Sequence, residues 1–174
     1  MNIKLQLIVE DEGQEQIKTI SSFERSALSA ETLGLSLQES KQITAALQQN
    51  LASYQVAHFL KQVRPCIHCH QLRKIHGYHT LIYRTLFGKL SLKSPRLEAC
   101  GCEKHSQKTV SPLALLLPER IAPELRYVES KWASLVSFGM TAKLLEDLMP
   151  LDVQCSSVYD NAQTVATKLE QELG

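Results

Sequence analysis

From its first residues the chain alternates: Ile3, Leu5, Leu7 and Val9 fall on one side of an extended segment, with Lys4 and Gln6 on the other. Period two is the signature of a half-buried strand. Asp11, Glu12 and Gly13 supply a turn, and "QIKTISSFER" reads as the returning strand of a hairpin. Two strands alone are marginal in water, so the hairpin needs a partner. The next stretch supplies one, because there the period lengthens. Ile43, Leu47, Leu51, Tyr54 and His58 recur at spacings of three and four, the stripe of an amphipathic helix. On that stripe His58 is expected to be a packed core histidine. Ser36 followed by Glu39 is a capping-box signature for the helix start. Pro65 sets its end near Val63, since the residue before proline disfavours helix.

Beyond Gly77 the period returns to two. Leu81, Tyr83, Thr85 and Phe87 alternate with Thr80, Ile82, Arg84 and Leu86, and "KLSLKSPRL" follows after Gly88, so a second hairpin is expected to turn near that glycine. "SPLALLLPER" is an apolar connector bounded by prolines. Pro123 then suits the first turn of a helix, whose predicted stripe is Leu125, Val128, Trp132, Leu135 and Val136. Gly139 is read as its C-terminal cap. Thr141 is read as the cap of a short second helix carrying Leu144, Leu145 and Leu148, stopped by Pro150. Ser157 with Asp160 is read as a capping box for a third, with Val158, Ala162, Val165, Leu169 and Leu173 buried. The predicted fold class is α+β: an N-terminal β-hairpin plus long helix over 1–63, a ribbon-like hairpin over 64–108, a linker over 109–120, and a helix-turn-helix-like helical region over 121–174.

Composition changes this picture only through where charge falls. Hydrophobic residues make up 44% and charged residues 21% of the 174 residues, which favours globular folding over disorder. No apolar run approaches the roughly 20 residues of a membrane span, and the acidic turn after "MNIKLQLIV" is unlike a signal peptide. A reducing cytoplasm, with nucleoid association, is the expected location. The net charge of +1 conceals a sharp division. Residues 61–108 hold ten Lys and Arg against Glu98 and Glu103, and five of the six histidines, while the flanking segments are acidic.

That basic segment also carries four of the five cysteines, as "PCIHCH" and "ACGC", in the spacing C-x2-C-x30-C-x-C. In a reducing compartment, close cysteine pairs more often bind metal than form disulfides. A two-residue spacer lets both sulfurs of Cys66 and Cys69 face one ion, and Gly101 is read as giving Cys100 and Cys102 the backbone freedom to do the same. The second hairpin brings the pairs together. Zinc accepts four thiolates in a closed tetrahedron with no position left for water, which makes a structural rather than catalytic site. His68, His70 and His105 are alternative ligands, and four free thiols are the competing reading. Cys155 stands apart and is read as a buried apolar residue. Arg64, Arg73, Lys74, Arg84, Lys89, Lys93, Arg96, Lys104 and Lys108 lie on or near the ribbon, with Lys89, Ser91 and Lys93 on one face. Such a stripe attracts phosphate; the alternative is a solvated surface. The helical region reads either as an ordinary bundle or as a helix-turn-helix whose third helix would present Ser156, Tyr159, Asp160, Gln163 and Thr164.

The stretches "LGLSLQESK", "PCIHCHQLRKIHGYHTLIYRTLFGKLSLKSPRL", "SPLALLLPER", "APELRYVESKWASLVSFGMTAKLLEDLMPLD" and "SSVYDNA" resemble the N-terminal portion of bacterial insertion-sequence transposases of the ISKra type, over essentially the whole chain. The resemblance implies a zinc-ribbon-like element using Cys66, Cys69, Cys100 and Cys102 and a helix-turn-helix over 141–173. Together these would hold double-stranded DNA at the transposon ends, with Arg73, Lys74, Arg84, Lys89, Lys93, Arg96, Tyr159 and Gln163 as candidate contacts. Strand transfer would belong to a downstream domain carrying two metal ions; Asp147, Asp152 and Asp160 read as helix-end caps. The expectation is a DNA-binding fragment, non-catalytic by itself, whose partners are DNA and another copy of the chain or the full-length transposase. Tyr159 and Asp160 depart from the basic or amide residues expected there, and an acid repels phosphate although it can accept from cytosine. The alternative is an inactive transposase remnant or a zinc-stapled protein-interaction module.

Overall fold

The computed structural model describes residues 1–102 and 108–173. It is an α+β arrangement of two antiparallel sheets and five helices among those residues. Strands β1 (Asn2–Asp11) and β2 (Gln14–Glu24) pair alone. Glu12 and Gly13 turn between them with φ of 53° and 76°, the left-handed pair that matches the twist of a tight hairpin. The register shifts between Leu5 and Gln6, where Ile20 is the extra residue on β2; Ile3, Leu7 and Val9 keep the expected half-buried face, while Leu5, Ile8 and Ile17 are exposed. Arg25 clamps the end of this hairpin to helix α1 (Leu37–Val63) through its Nη2, which donates to both carboxylate oxygens of Glu39 at 2.8 Å. Ser36 and Glu39 form the expected capping box.

α1 lies between two surfaces, and this corrects the predicted stripe. Ala52, Val56, Phe59 and Leu60 face the main core, one residue set over from the line through Leu51 and His58. Leu51 is exposed. His58 is not a packed core residue: it is exposed and sits 3.5 Å from Asp11, which Lys61 also approaches at 3.2 Å. A helix covered on two sides has no single apolar stripe to read.

The second sheet orders β3 (Ile75–Thr85), β4 (Gly88–Glu98) and β5 (Thr109–Val110). Leu81 pairs with Leu92 and Tyr83 with Leu90, which sets the buried face. That face packs on α1 and on the short helix α2 (Pro112–Leu116), whose Leu113 is fully enclosed. The stretch read as a linker therefore contributes a strand, a helix and part of the core. At the hairpin tip Thr85 Oγ1 donates to the Gly88 carbonyl. Gly88 itself is required twice, by φ of 117° and by the Pro150 carbonyl oxygen 3.3 Å from where a Cβ would stand.

Three helices complete the chain: α3 (Pro123–Ala133), α4 (Phe138–Leu148) and α5 (Cys155–Leu173). Pro123 opens α3 as expected, but the boundaries after it differ. Ser137, not Thr141, caps α4 by accepting from the Met140 N–H, so Gly139 lies within a helix and Thr141 is buried in it. No Ser157–Asp160 box forms, because α5 begins at Cys155 and Ser157 Oγ accepts from Arg84. Leu125, Leu145 and Val158 fill the bundle, while Leu135, Val136, Leu144, Leu148, Leu169 and Leu173 remain exposed. Cys155 is exposed too, contrary to its apolar reading.

Inside the bundle Glu129 is almost fully enclosed and accepts from Asn161 of α5. Burial pushes its carboxyl above the usual range. A raised acid favours the fold below its unfolded pKa, and that advantage is lost as pH climbs through the folded value. Glu129→Gln keeps an acceptor for Asn161 and removes the titration. Its melting temperature should therefore fall less than that of the wild type as pH rises above the ordinary carboxylate range; an equal fall would locate the pH dependence elsewhere.

Candidate metal centre and basic ribbon face

The four cysteines meet at the end of the β3–β4 hairpin remote from its tip. Just after α1, a backbone knuckle forms over 66–71. The Cys66 N–H donates to the Gln71 carbonyl, and the His70 N–H donates back to the Cys66 carbonyl, each at 2.9 Å. Closing this loop puts His70 at φ 56°, a conformation histidine tolerates better than most residues. Sequence spacing gave no hint of that duty for His70. Opposite, the Ala99 N–H donates to the Lys108 carbonyl at 3.0 Å, and the Glu98 N–H donates to the Lys74 carbonyl at 2.9 Å, which sets the chain leading to Cys100 beside the segment that follows the first knuckle. Gly101 does not adopt a positive φ, and a Cβ there would meet nothing. The freedom expected of it is not used.

The sulfurs of Cys66, Cys69, Cys100 and Cys102 all lie within 4.8 Å of one another, an arrangement that could hold a metal ion. Cys66 and Cys102 are 3.4 Å apart, Cys69 and Cys100 3.3 Å, and Cys100 and Cys102 3.2 Å. A disulfide needs about 2.05 Å, so these are separate thiols. Four thiolates at ~2.3 Å from one ion would stand about 3.8 Å apart, a small expansion of the observed cluster. No histidine belongs to that cluster among the described residues; His105 and Lys104 lie outside them. Protons are shared unevenly. The Cys102 backbone N–H and the neighbouring sulfurs hold the Cys100 thiol down at about 7, while Cys100, followed by Cys66, drives the Cys102 thiol far upward. Filling the site would release protons from the thiols. A tetrahedral four-sulfur set suits zinc or iron, and it is closed to substrate.

Leading away from the cysteines, the outward face of the hairpin carries Lys93 and Lys89 on β4 and Arg84 on β3, with Thr80 opposite Lys93 and Arg84 opposite Lys89. Lys93 stands over the Tyr78 ring at 4.5 Å. Lys74 and Arg96 are exposed nearer the cysteine end, and Arg73 is half-buried there. Two of these cations are already engaged at the tip: Lys89 pairs with Asp152 at 2.7 Å, and Arg84 donates to Ser157 at 2.9 Å. Asp152 therefore serves as a counter-ion rather than a helix cap. These contacts fasten the helical bundle to the ribbon. A parallel bridge does the same, with the Arg84 N–H donating to the Arg120 carbonyl and the Ala122 N–H to the Arg84 carbonyl. On α5, Tyr159, Asp160, Gln163 and Thr164 are exposed as expected, and Tyr159 rests edge-on against Phe138 of α4. The α4–α5 connection spans 149–154, longer than the three- or four-residue turn of a tight helix-turn-helix.

No helix among the described residues is long and apolar enough to cross a membrane. Comparison of the chain with protein-family models, with curated proteins and with solved structures returns no match.

Proposed function

We propose that this chain is a zinc-stabilised, DNA-binding module from the N-terminal part of an insertion-sequence transposase, without catalysis of its own. The observation that carries the reading is the union of a closed four-cysteine site with a strand face bearing Arg84, Lys89 and Lys93. The sequence resemblance supplies the transposase context. Zinc at the cysteines would fix the open end of the hairpin, and the cationic face would lie along the phosphate backbone. Phosphate contacts position a protein on a duplex without reading sequence. Base readout would fall to the exposed side chains of α5, Tyr159 and Gln163 among them.

Duplex binding across a salt series tests this. With about four phosphates neutralised, log K should fall by roughly 3.6 per log unit of salt, a loss near a hundredfold between about 50 and 200 mM. Lys93→Gln should lower that slope by about 0.9 and weaken all sequences alike. Flat salt dependence, or no duplex binding at low salt, would favour a protein-interaction module instead.

A further inference from the structure

At the hairpin tip, away from the cysteines, a cleft of about 520 Å³ opens between the ribbon and the helical bundle. Its floor is the outward face of β3 at Ile82 and Arg84. One wall is α5, where Ser157, Asn161 and Thr164 recur at spacings of four and three and so line one helix face. The other wall is the segment from Glu119 into α3, which brings Arg120 and Arg126. Three guanidinium groups thus border one open space, with Lys168 near its rim through Glu119. Among the described residues the one carboxylate lining the cleft is Glu119, which accepts from both Arg126 and Lys168; the Glu129 carboxyl, buried behind Asn161, also lies within the electrostatic reach of Arg84 and Arg126.

We infer that this cleft is the seat of a backbone phosphate of the nucleic acid, held by Arg120 and Arg126 with Arg84 and the polar face of α5. The inference rests on the DNA-binding reading above and assigns it a second anchor point, which joins Arg84 of the ribbon to Arg120 and Arg126 from outside the basic segment. Guanidinium forks match phosphate oxygens in pairs; the Ser157 hydroxyl, which accepts from Arg84, keeps its proton to donate, and the Asn161 amide has a second proton beside the one given to Glu129, whereas the Thr164 hydroxyl is spent on the Asp160 carbonyl. Three further observations favour it. Arg126 keeps its Nε–H enclosed without an acceptor. Arg120 is held at φ 58°, an uncommon state for arginine, by the backbone bridge between its carbonyl and Arg84. And Arg84 is shared between this cleft and the Lys89 side of the tip, so the cleft continues the cationic line that begins at Lys93. In the unliganded chain Glu119 occupies the place of the anion: its two oxygens hold Arg126 and Lys168 much as phosphate oxygens would. Phosphate would compete with it.

That competition gives two substitutions opposite signs. Both side chains are exposed, and melting curves check that the variants stay folded. Arg120→Gln should weaken duplex affinity about tenfold and lower the salt slope by about 0.9. Glu119→Gln should strengthen duplex binding severalfold by freeing Arg126 and Lys168, an outcome that a purely structural carboxylate would not produce. If both variants bind like the wild type while Lys93→Gln lowers the slope, the cleft is not a phosphate seat although the ribbon face binds DNA. Failure of the wild type to bind duplex removes both readings. A titration with inorganic phosphate, followed by the Nε–H signals of Arg84 and Arg126, separates the remaining source. Saturable shifts there, with DNA affinity indifferent to both cleft variants, would assign the cleft to a small phosphate and overturn the nucleic-acid proposal.

Discussion

Cys66→Ser should strip the bound metal and loosen the cysteine end of the ribbon while leaving the middle of the hairpin in place. Cys66 is the one fully buried sulfur of the four, and its own N–H and carbonyl close the first knuckle. A serine oxygen there is a poor ligand for a soft four-sulfur site. Metal binding to such clusters contributes roughly 10 kcal/mol or more to folding where nothing else holds the chain. Here something else does. Leu81, Leu90 and Leu92 are packed on α1 and α2, so the loss should be confined to 64–74 and 98–102. Hydrogen exchange reads this directly: amides of Cys66, His70 and Arg73 should lose protection by orders of magnitude, and those of Leu81 and Leu92 should keep most of theirs. Chelation of the wild type should reproduce the pattern. Uniform protection after chelation would show that no ion braces the knuckles.

Leu81→Ala should do the converse. Leu81 is fully buried, faces Leu92 across the ladder, and shares its core with Ala52, Leu90 and Leu113. Removing it leaves a cavity where strand, long helix and short helix meet, none of which can close over the gap without moving the others. The cost is expected near 3 kcal/mol, within the range of about 2–5 for buried leucines. For a chain of this size that lowers the melting temperature by roughly 6–12 °C. Metal content should stay the same, because Leu81 stands six residues inside the cysteine end of β3, roughly 20 Å along the hairpin from where the knuckles begin. A shift below about 1 °C would mean that the β3–β4 face is not the hub of the core.

The local signals in the sequence were the legible ones. Ser36 with Glu39, the Glu12–Gly13 turn, the alternation around Leu81 and the cysteine spacing each depend on neighbours within a few residues, or on one hairpin bringing two segments together. What escaped depends on contacts between distant segments. α1 buries Ala52, Val56, Phe59 and Leu60 because a second sheet covers it, a fact no helical period contains. The short helix at Pro112 hid in a run of leucines that reads equally well as a connector. Gly139 looked like a stop, yet four residues with Ser137 as cap turn the chain before it. Ser157 looked like a cap, but Arg84, 73 positions earlier, claims its hydroxyl. Of the candidate site, the clustering of the four cysteines was readable, and the coupling of the basic face to the helical bundle through Arg84 and Lys89 was not. Under the proposed DNA-binding function that coupling would have a use. It fixes the angle between the strand face and α5, so that both would meet a duplex as one rigid surface.

Native mass spectrometry of the protein purified without added chelator tests the central claim, that one divalent ion joins Cys66, Cys69, Cys100 and Cys102 into the brace of a cationic ribbon. The expected spectrum shows one zinc per chain, with four thiols that react with alkylating reagent only after the metal is withdrawn. A metal-free chain whose four thiols alkylate at once, or a mass two hydrogens lighter per cysteine pair, would contradict it.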